Sequence, residues 1–104
     1  AMHEAGLNPA YSTVVALSQV TPAPSVYLTD SSLIWLYFLY FTGRSAWNVT
    51  RWQGPLPRRE LEDLKRSRPL FVPSTFLTDP RFRDWLSGSK LSPAAPGLEW
   101  QRVS

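Results

Sequence analysis

The 104-residue chain contains no cysteine and a single histidine, His3. Without thiols there is no disulfide framework and no thiolate metal site, and the composition fits a reducing compartment. One histidine with no second leaves no credible zinc centre and no imidazole-based acid–base pair. Long apolar runs are also absent. The stretch Leu33 to Phe41 has nine residues, whereas a membrane-spanning helix needs about 20. The first residues carry neither a basic region nor a small-residue cleavage site, so no secretory leader is expected. No glycine loop is suited to cradling phosphate, and no paired carboxylates lie outside the charged stretch from Pro57 to Arg68. Neither an enzyme nor a cofactor-binding protein is therefore expected.

What the chain does contain is enough apolar material to fold: 43% of residues are hydrophobic and 13% aromatic, which argues against disorder throughout. The length corresponds to one domain with room for tails. The formal net charge is +3, and every basic residue except Arg44 and Arg102 lies within 51–90. Five acidic residues share that segment, and such a mixed-sign pattern usually marks a solvated helix face. The sharper alternative is nucleic-acid binding through Arg51, Arg58, Arg59, Arg66, Arg68, Arg81 and Arg83, with Phe82 as a stacking ring between two arginines. Asn48-Val49-Thr50 fits a glycosylation sequon, by chance if the protein is cytosolic.

Residues 1–30 read as a flexible lead with one possible strand in Tyr11 to Val20, where Thr13-Val14-Val15 is β-branched. Leu33 to Phe41 is apolar on both faces, so periodicity does not separate a buried strand from a buried helix. Its length and aromatic content favour a strand; Asp30 or Ser31 as an N-cap would favour a helix. Thr42 to Ser45 supplies a turn. A second strand, Ala46 to Trp52, would complete a hairpin with Trp47 and Trp52 on opposite faces. At least one of these tryptophans is then exposed enough to anchor a partner.

Gly54-Pro55-Leu56-Pro57 ends the ladder, and Pro57 suits the first position of a helix over Arg58 to Ser67. Leu61 and Leu64 share one face of that helix, Glu62 and Arg66 are spaced to pair, and Pro69 stops it. Leu70 to Leu77 is extended, with Pro73 implying an edge or a bulge. Thr78 or Asp79 caps a second short helix that runs through Pro80, Phe82, Trp85 and Leu86 to Gly88, with Phe82, Trp85 and Leu86 on one face that packs on the sheet or, alternatively, docks on a partner. Ser89 to Gly97 is linker-like, and Leu98 to Val103 forms a last edge strand. The expected fold is α+β: a small antiparallel sheet, one main helix packed on it, and a short second helix. The expected divisions are a lead (1–30), a folded unit (31–88) and a tail (89–104).

The sequence resembles the GYF domain over about residues 33–86. Trp35 and Tyr37 match the family's opening Trp-X-Tyr, and Gly54 and Pro55 match its Gly-Pro corner, with Gln53 before them as in one subfamily. Leu61 and Leu64 fall where the family has Met and Trp, and Pro69-Leu70-Phe71 falls near its Gly-Tyr-Phe triplet. The resemblance implies an adaptor that binds proline-rich peptides of the Pro-Pro-Gly-apolar type, in an mRNA-processing or translational-control assembly, cytoplasmic or nuclear. The implied groove is lined by Trp35, Tyr37, Gln53, Gly54, Pro55, Leu56, Leu64 and Leu70. The chain departs from the family at Leu56, Leu64 and Leu70, which stand where aromatic rings are usual, and in the sixteen residues between Tyr37 and Gly54. Leucine keeps apolar area but loses the flat face on which a ligand proline stacks. The tail's Ala95-Pro96-Gly97-Leu98 resembles such a ligand, so self-association through Pro96, Gly97 and Leu98 is a further expectation, against a simple turn. A basic RNA-binding module and a dimerisation domain without a groove are the rival readings; a membrane partner is not expected.

Overall fold

The computed structural model describes residues 9–104. Five short strands form one mixed sheet in the order β2-β1-β3-β5-β4, with β1 Val26–Thr29, β2 Ser45–Asn48, β3 Leu70–Pro73, β4 Leu91–Pro93 and β5 Trp100–Val103. β1 lies between β2 and β3 and runs parallel to both, while β5 is antiparallel to β3 and β4. Parallel neighbours need crossover connections. The first is α2 (Ser32–Tyr37), continued by a π-helical turn over Phe38–Thr42; the second carries α3 (Arg58–Ser67). α1 (Pro9–Val20) precedes the sheet, and α4 (Pro80–Ser87) follows β3.

Alternation along each strand sorts the core into two layers. Val26, Leu28, Leu70, Val72 and Val103 face Leu61 of α3 and Phe82, Trp85 and Leu86 of α4. Tyr27, Ala46, Phe71 and Trp100 face Val14 and Leu17 of α1 and Phe38 of the π turn. All four residues of β1 are buried, as a strand covered on both faces requires. The first crossover steps from β1 to β2 and the second returns from β2 past β1 to β3, in the opposite direction, and they carry their helices on opposite faces. Both therefore share one hand, as parallel crossovers do.

The protein is thus an α+β domain, as expected, but its sheet is mixed rather than antiparallel. The hairpin expected at residues 33–52 does not form. Ser31 caps α2, its hydroxyl accepting from the Ile34 amide at 3.2 Å. Ile34, Trp35, Tyr37 and Phe38 then turn to the core at helical spacing, leaving Leu33, Leu39, Tyr40 and Phe41 exposed. Gly43 ends the π turn at φ +68, a left-handed conformation that glycine adopts without a Cβ clash. β2 stops at Asn48 and becomes a 3-10 turn over Val49–Arg51. That turn brings Trp47 and Trp52 to the same face, with ring centroids 6.1 Å apart, rather than to opposite faces. Asn48 is buried, and its amide nitrogen donates to the Ser32 hydroxyl at 3.0 Å, so the sequon nitrogen is engaged within the fold.

The lead from Pro9 onward and the tail both contribute to the two core layers. Tyr11 to Val20 is not a strand but lies within α1, whose Val14 and Leu17, three apart, are fully buried. The part of the lead before Pro9 lies outside the described residues. β5 pairs on both sides, so it is not an edge strand; the edges are β2 and β4. Pro73 sits in an interior strand rather than at an edge or bulge. β1 pairs with β3 no further than Phe71, so the missing proline N–H takes no ladder bond away.

Residues 95–98 adopt the simple turn. Leu98 N–H donates to Ala95 C=O at 3.2 Å, Gly97 has φ +83, and Leu98 rests on the second core layer. Proline followed by glycine is what a type II turn selects. The helix from Arg58 to Ser67 forms as expected, although Glu62 pairs with Lys65 and Arg66 with Asp63 rather than Glu62 with Arg66.

One cation organises the end of α1. Arg44 donates to the carbonyls of Ser18, Thr21 and Pro22 and to the Thr21 and Tyr27 hydroxyls, at 2.8 to 3.1 Å. Thr21 spends its single hydroxyl proton on Leu17 C=O, so the Tyr27 hydroxyl donates to Thr21 Oγ1 at 2.5 Å. A guanidinium against the exposed carbonyls of a helix C-terminus opposes the negative end of the helix dipole.

Candidate functional site

Two segments leave the carboxyl ends of β2 and β3 and meet on the face covered by α3 and α4. The first runs from the Val49–Arg51 turn through Trp52 to Leu56. Gly54 takes φ +78 to reverse the chain before Pro55, and Arg58 N–H donates back to Leu56 C=O at 2.8 Å ahead of α3. The second runs through the 3-10 turn Ser74–Thr78 to Asp79, which caps α4 by accepting from the Arg81 amide at 2.9 Å. That cap sets Arg81 in the first turn of α4. Between the segments lies a cleft of about 180 Å³ lined by Trp52, Gly54, Pro55, Leu56 and Arg81. The cleft sits outside the carboxyl ends of parallel strands, where sheets of this kind commonly hold ligands.

Its walls are fixed by packing. The Trp52 ring meets Trp47 edge-on and lies 6.5 Å from Phe82. The Arg81 guanidinium lies 5.1 Å over the Phe82 ring, and its Nη2 reaches Val49 C=O only at 3.5 Å. Behind the cleft, Glu62 ties α3 to α4, accepting from Lys65 Nζ at 3.0 Å and from Trp85 Nε1 at 2.6 Å. The Lys65 hydrogen bond, then the Trp85 indole, hold the Glu62 carboxyl below the ordinary carboxylate range.

The eight groove residues expected from the sequence are not brought together. Gly54, Pro55 and Leu56 line the cleft, with Gln53 exposed beside them. Leu64 is half-buried under α3 on the same face. Leu70 is fully buried in β3 and faces the core, so it is closed to a ligand. Trp35 and Tyr37 lie on the opposite face. The Trp35 indole donates to Ala46 C=O at 3.1 Å beneath the Arg51 guanidinium, and Tyr37 packs edge-on to Tyr11. They go there because α2, and not a strand, carries them. Trp52 was legible as a possible anchor; Arg81 was not singled out for a cleft. The signal for Arg81 was Asp79-Pro80, which places the next residue in the first turn of a helix. Phe82, offered as a nucleotide-stacking ring, is fully buried.

No family model, curated protein or solved structure matches the chain. Among the described residues, no cluster of histidine, cysteine, aspartate or glutamate could hold a metal ion. No described helix is long and apolar enough to cross a membrane.

Proposed function

We propose that this protein is an interaction module that binds a short proline-containing segment of another protein, seating one prolyl or other apolar side chain in the Trp52 cleft. The observation that carries this reading is the cleft itself: a tryptophan, a leucine, a Gly-Pro corner and Arg81 around about 180 Å³. Sites that enclose whole small molecules are larger, about 300–1,000 Å³, so this one suits a single side chain presented by a partner. A pyrrolidine ring packs flat on an indole, and a polyproline II segment loses little conformational freedom on binding. The groove drawn from the GYF resemblance is replaced by a smaller one that keeps its Gly54-Pro55-Leu56 corner and takes its ring from Trp52.

The test is an amide-shift titration of the labelled protein with a capped Pro-Pro-Gly-Leu peptide and a scrambled control. Shifts confined to residues 52–56 and 79–82 for the proline peptide, lost in Trp52→Ala while far-UV circular dichroism is unchanged, support the reading. Equal response to both peptides, or none, rejects it. Binding of single-stranded RNA with a steep salt dependence would instead favour the nucleic-acid alternative.

A further inference from the structure

The polar wall of the Trp52 cleft is the exposed Arg81 guanidinium. Arg81 carries five N–H donors in a planar fork, and among the described residues its one side-chain hydrogen bond is the long 3.5 Å contact to Val49 C=O. Among the described residues, the ion pairs within 4.0 Å join Lys65 to Glu62 and Arg66 to Asp63; no carboxylate reaches Arg81. The carboxylate nearest in sequence, Asp79, accepts from the Arg81 backbone amide as the cap of α4, so it is committed to the helix start. Packing against Phe82 holds the fork at the cleft wall rather than leaving it to range through solvent. Arg58 and Arg59, exposed at the start of α3, follow Leu56 closely in the chain and add to the positive charge of that segment. An apolar floor with one oriented, unpaired guanidinium beside it is complementary to an apolar side chain followed by a carboxylate, because the fork matches a planar carboxylate with two parallel hydrogen bonds.

We infer that the segment bound in the Trp52 cleft carries an aspartate or glutamate side chain next to its prolyl residue, paired with Arg81. This inference rests on the binding function proposed above. Gly54, Pro55 and Arg81 are exposed, so the rim is open and a continuous chain can cross it. An internal acidic side chain therefore fits without the need for a chain terminus. A single fork in the wall serves one carboxylate.

The experiment uses the whole protein and four peptides: Gly-Pro-Pro-Glu-Leu, its Gln counterpart and its phosphoserine counterpart, all blocked at both ends, and Gly-Pro-Pro-Gln-Leu blocked at its N-terminus with a free C-terminal carboxylate. Affinities are read by Trp fluorescence and amide shifts against wild type, Arg81→Gln and Arg81→Lys. The Glu peptide is expected to bind about tenfold more tightly than the Gln peptide, as a charge-assisted pair allows. Arg81→Gln should abolish that preference, so that it binds the Glu and Gln peptides alike, and Arg81→Lys should restore only part of it. Equal binding of the Glu and Gln peptides overturns the acidic subsite while leaving the proline cleft intact. A preference for phosphoserine or for the free C-terminus over glutamate overturns it in favour of that anion. Failure of all four peptides overturns the binding function and this inference together.

Discussion

The two faces of the sheet are held by different means. On the face covered by α3 and α4, large side chains from consecutive helical turns interlock, and the Phe76 and Phe82 rings stack 4.2 Å apart. The Asp79 cap places α4, and the packing leaves a cleft where two loops meet. On the other face, α1 is seated by Val14 and Leu17 and then locked by a single guanidinium, Arg44, that gathers the carbonyls at its end. There Tyr27 stacks on Phe38 at 4.1 Å, and the same tyrosine's hydroxyl joins the polar lock. One face is therefore stabilised by distributed apolar burial, which fails globally. The other concentrates polar stabilisation in one residue, which can fail locally.

The sharpest test of that contrast is Phe82→Ala. Phe82 is fully buried among Phe76, Trp52 and Arg81, so its truncation should destabilise the whole domain by about 3–5 kcal/mol. Urea denaturation followed by circular dichroism would measure this, and loss of protection should spread to every helix in hydrogen exchange. Next comes Arg44→Met, which keeps much of the stem but removes the charged hydrogen bonds. The expected cost is about 2 kcal/mol. Hydrogen exchange should rise in α1 while α3 and α4 keep their protection; equal loss in all three would dissolve the distinction.

The smallest effect concerns pH. The Glu62 carboxyl titrates below its ordinary value of 4.5 in the folded state, chiefly through Lys65. A group whose folded pKa is depressed contributes stability that is present above its unfolded pKa and is lost as pH falls through its folded one. The urea midpoint of the wild type should therefore drop below about pH 4.5 more steeply than that of Glu62→Gln, whose amide oxygen can still accept from Trp85. Parallel curves would mean that Glu62 ties α3 to α4 by geometry alone.

The parts of the fold that were legible in the sequence are those set by local chemistry. Pro57, Leu61, Leu64 and Pro69 outline α3, and Asp79, Pro80 and Gly88 outline α4, because caps, breakers and i,i+3 spacing act within a few residues. Leu33 to Phe41 defeated that approach for a physical reason. A stretch that is apolar on all sides carries no periodicity, and its state is decided by what covers it. In the folded protein β1, β2 and α1 cover Ile34, Trp35, Tyr37 and Phe38, and the Ser31 cap becomes the deciding local signal. The parallel pairing of Val26 with Ser45 and with Leu70 leaves no local trace at all. The same is true of the site. Gly54-Pro55-Leu56 could be found because a turn has a sequence signature. Arg81 joins it from across the domain, through a contact that only the tertiary fold creates.

The central position of β1 has a consequence for how the chain is made. Both of its sheet neighbours are encoded downstream, at residues 45–48 and 70–71, and neither can be reached through a tight hairpin. During translation the Val26–Thr29 segment therefore waits, with both hydrogen-bonding edges open, until two crossovers have been synthesised. Long-range parallel pairing is slow, and unpaired apolar strands associate with other chains in the meantime. The interval between the synthesis of the first strand and the docking of the third is thus when the nascent chain is most open to association with other chains.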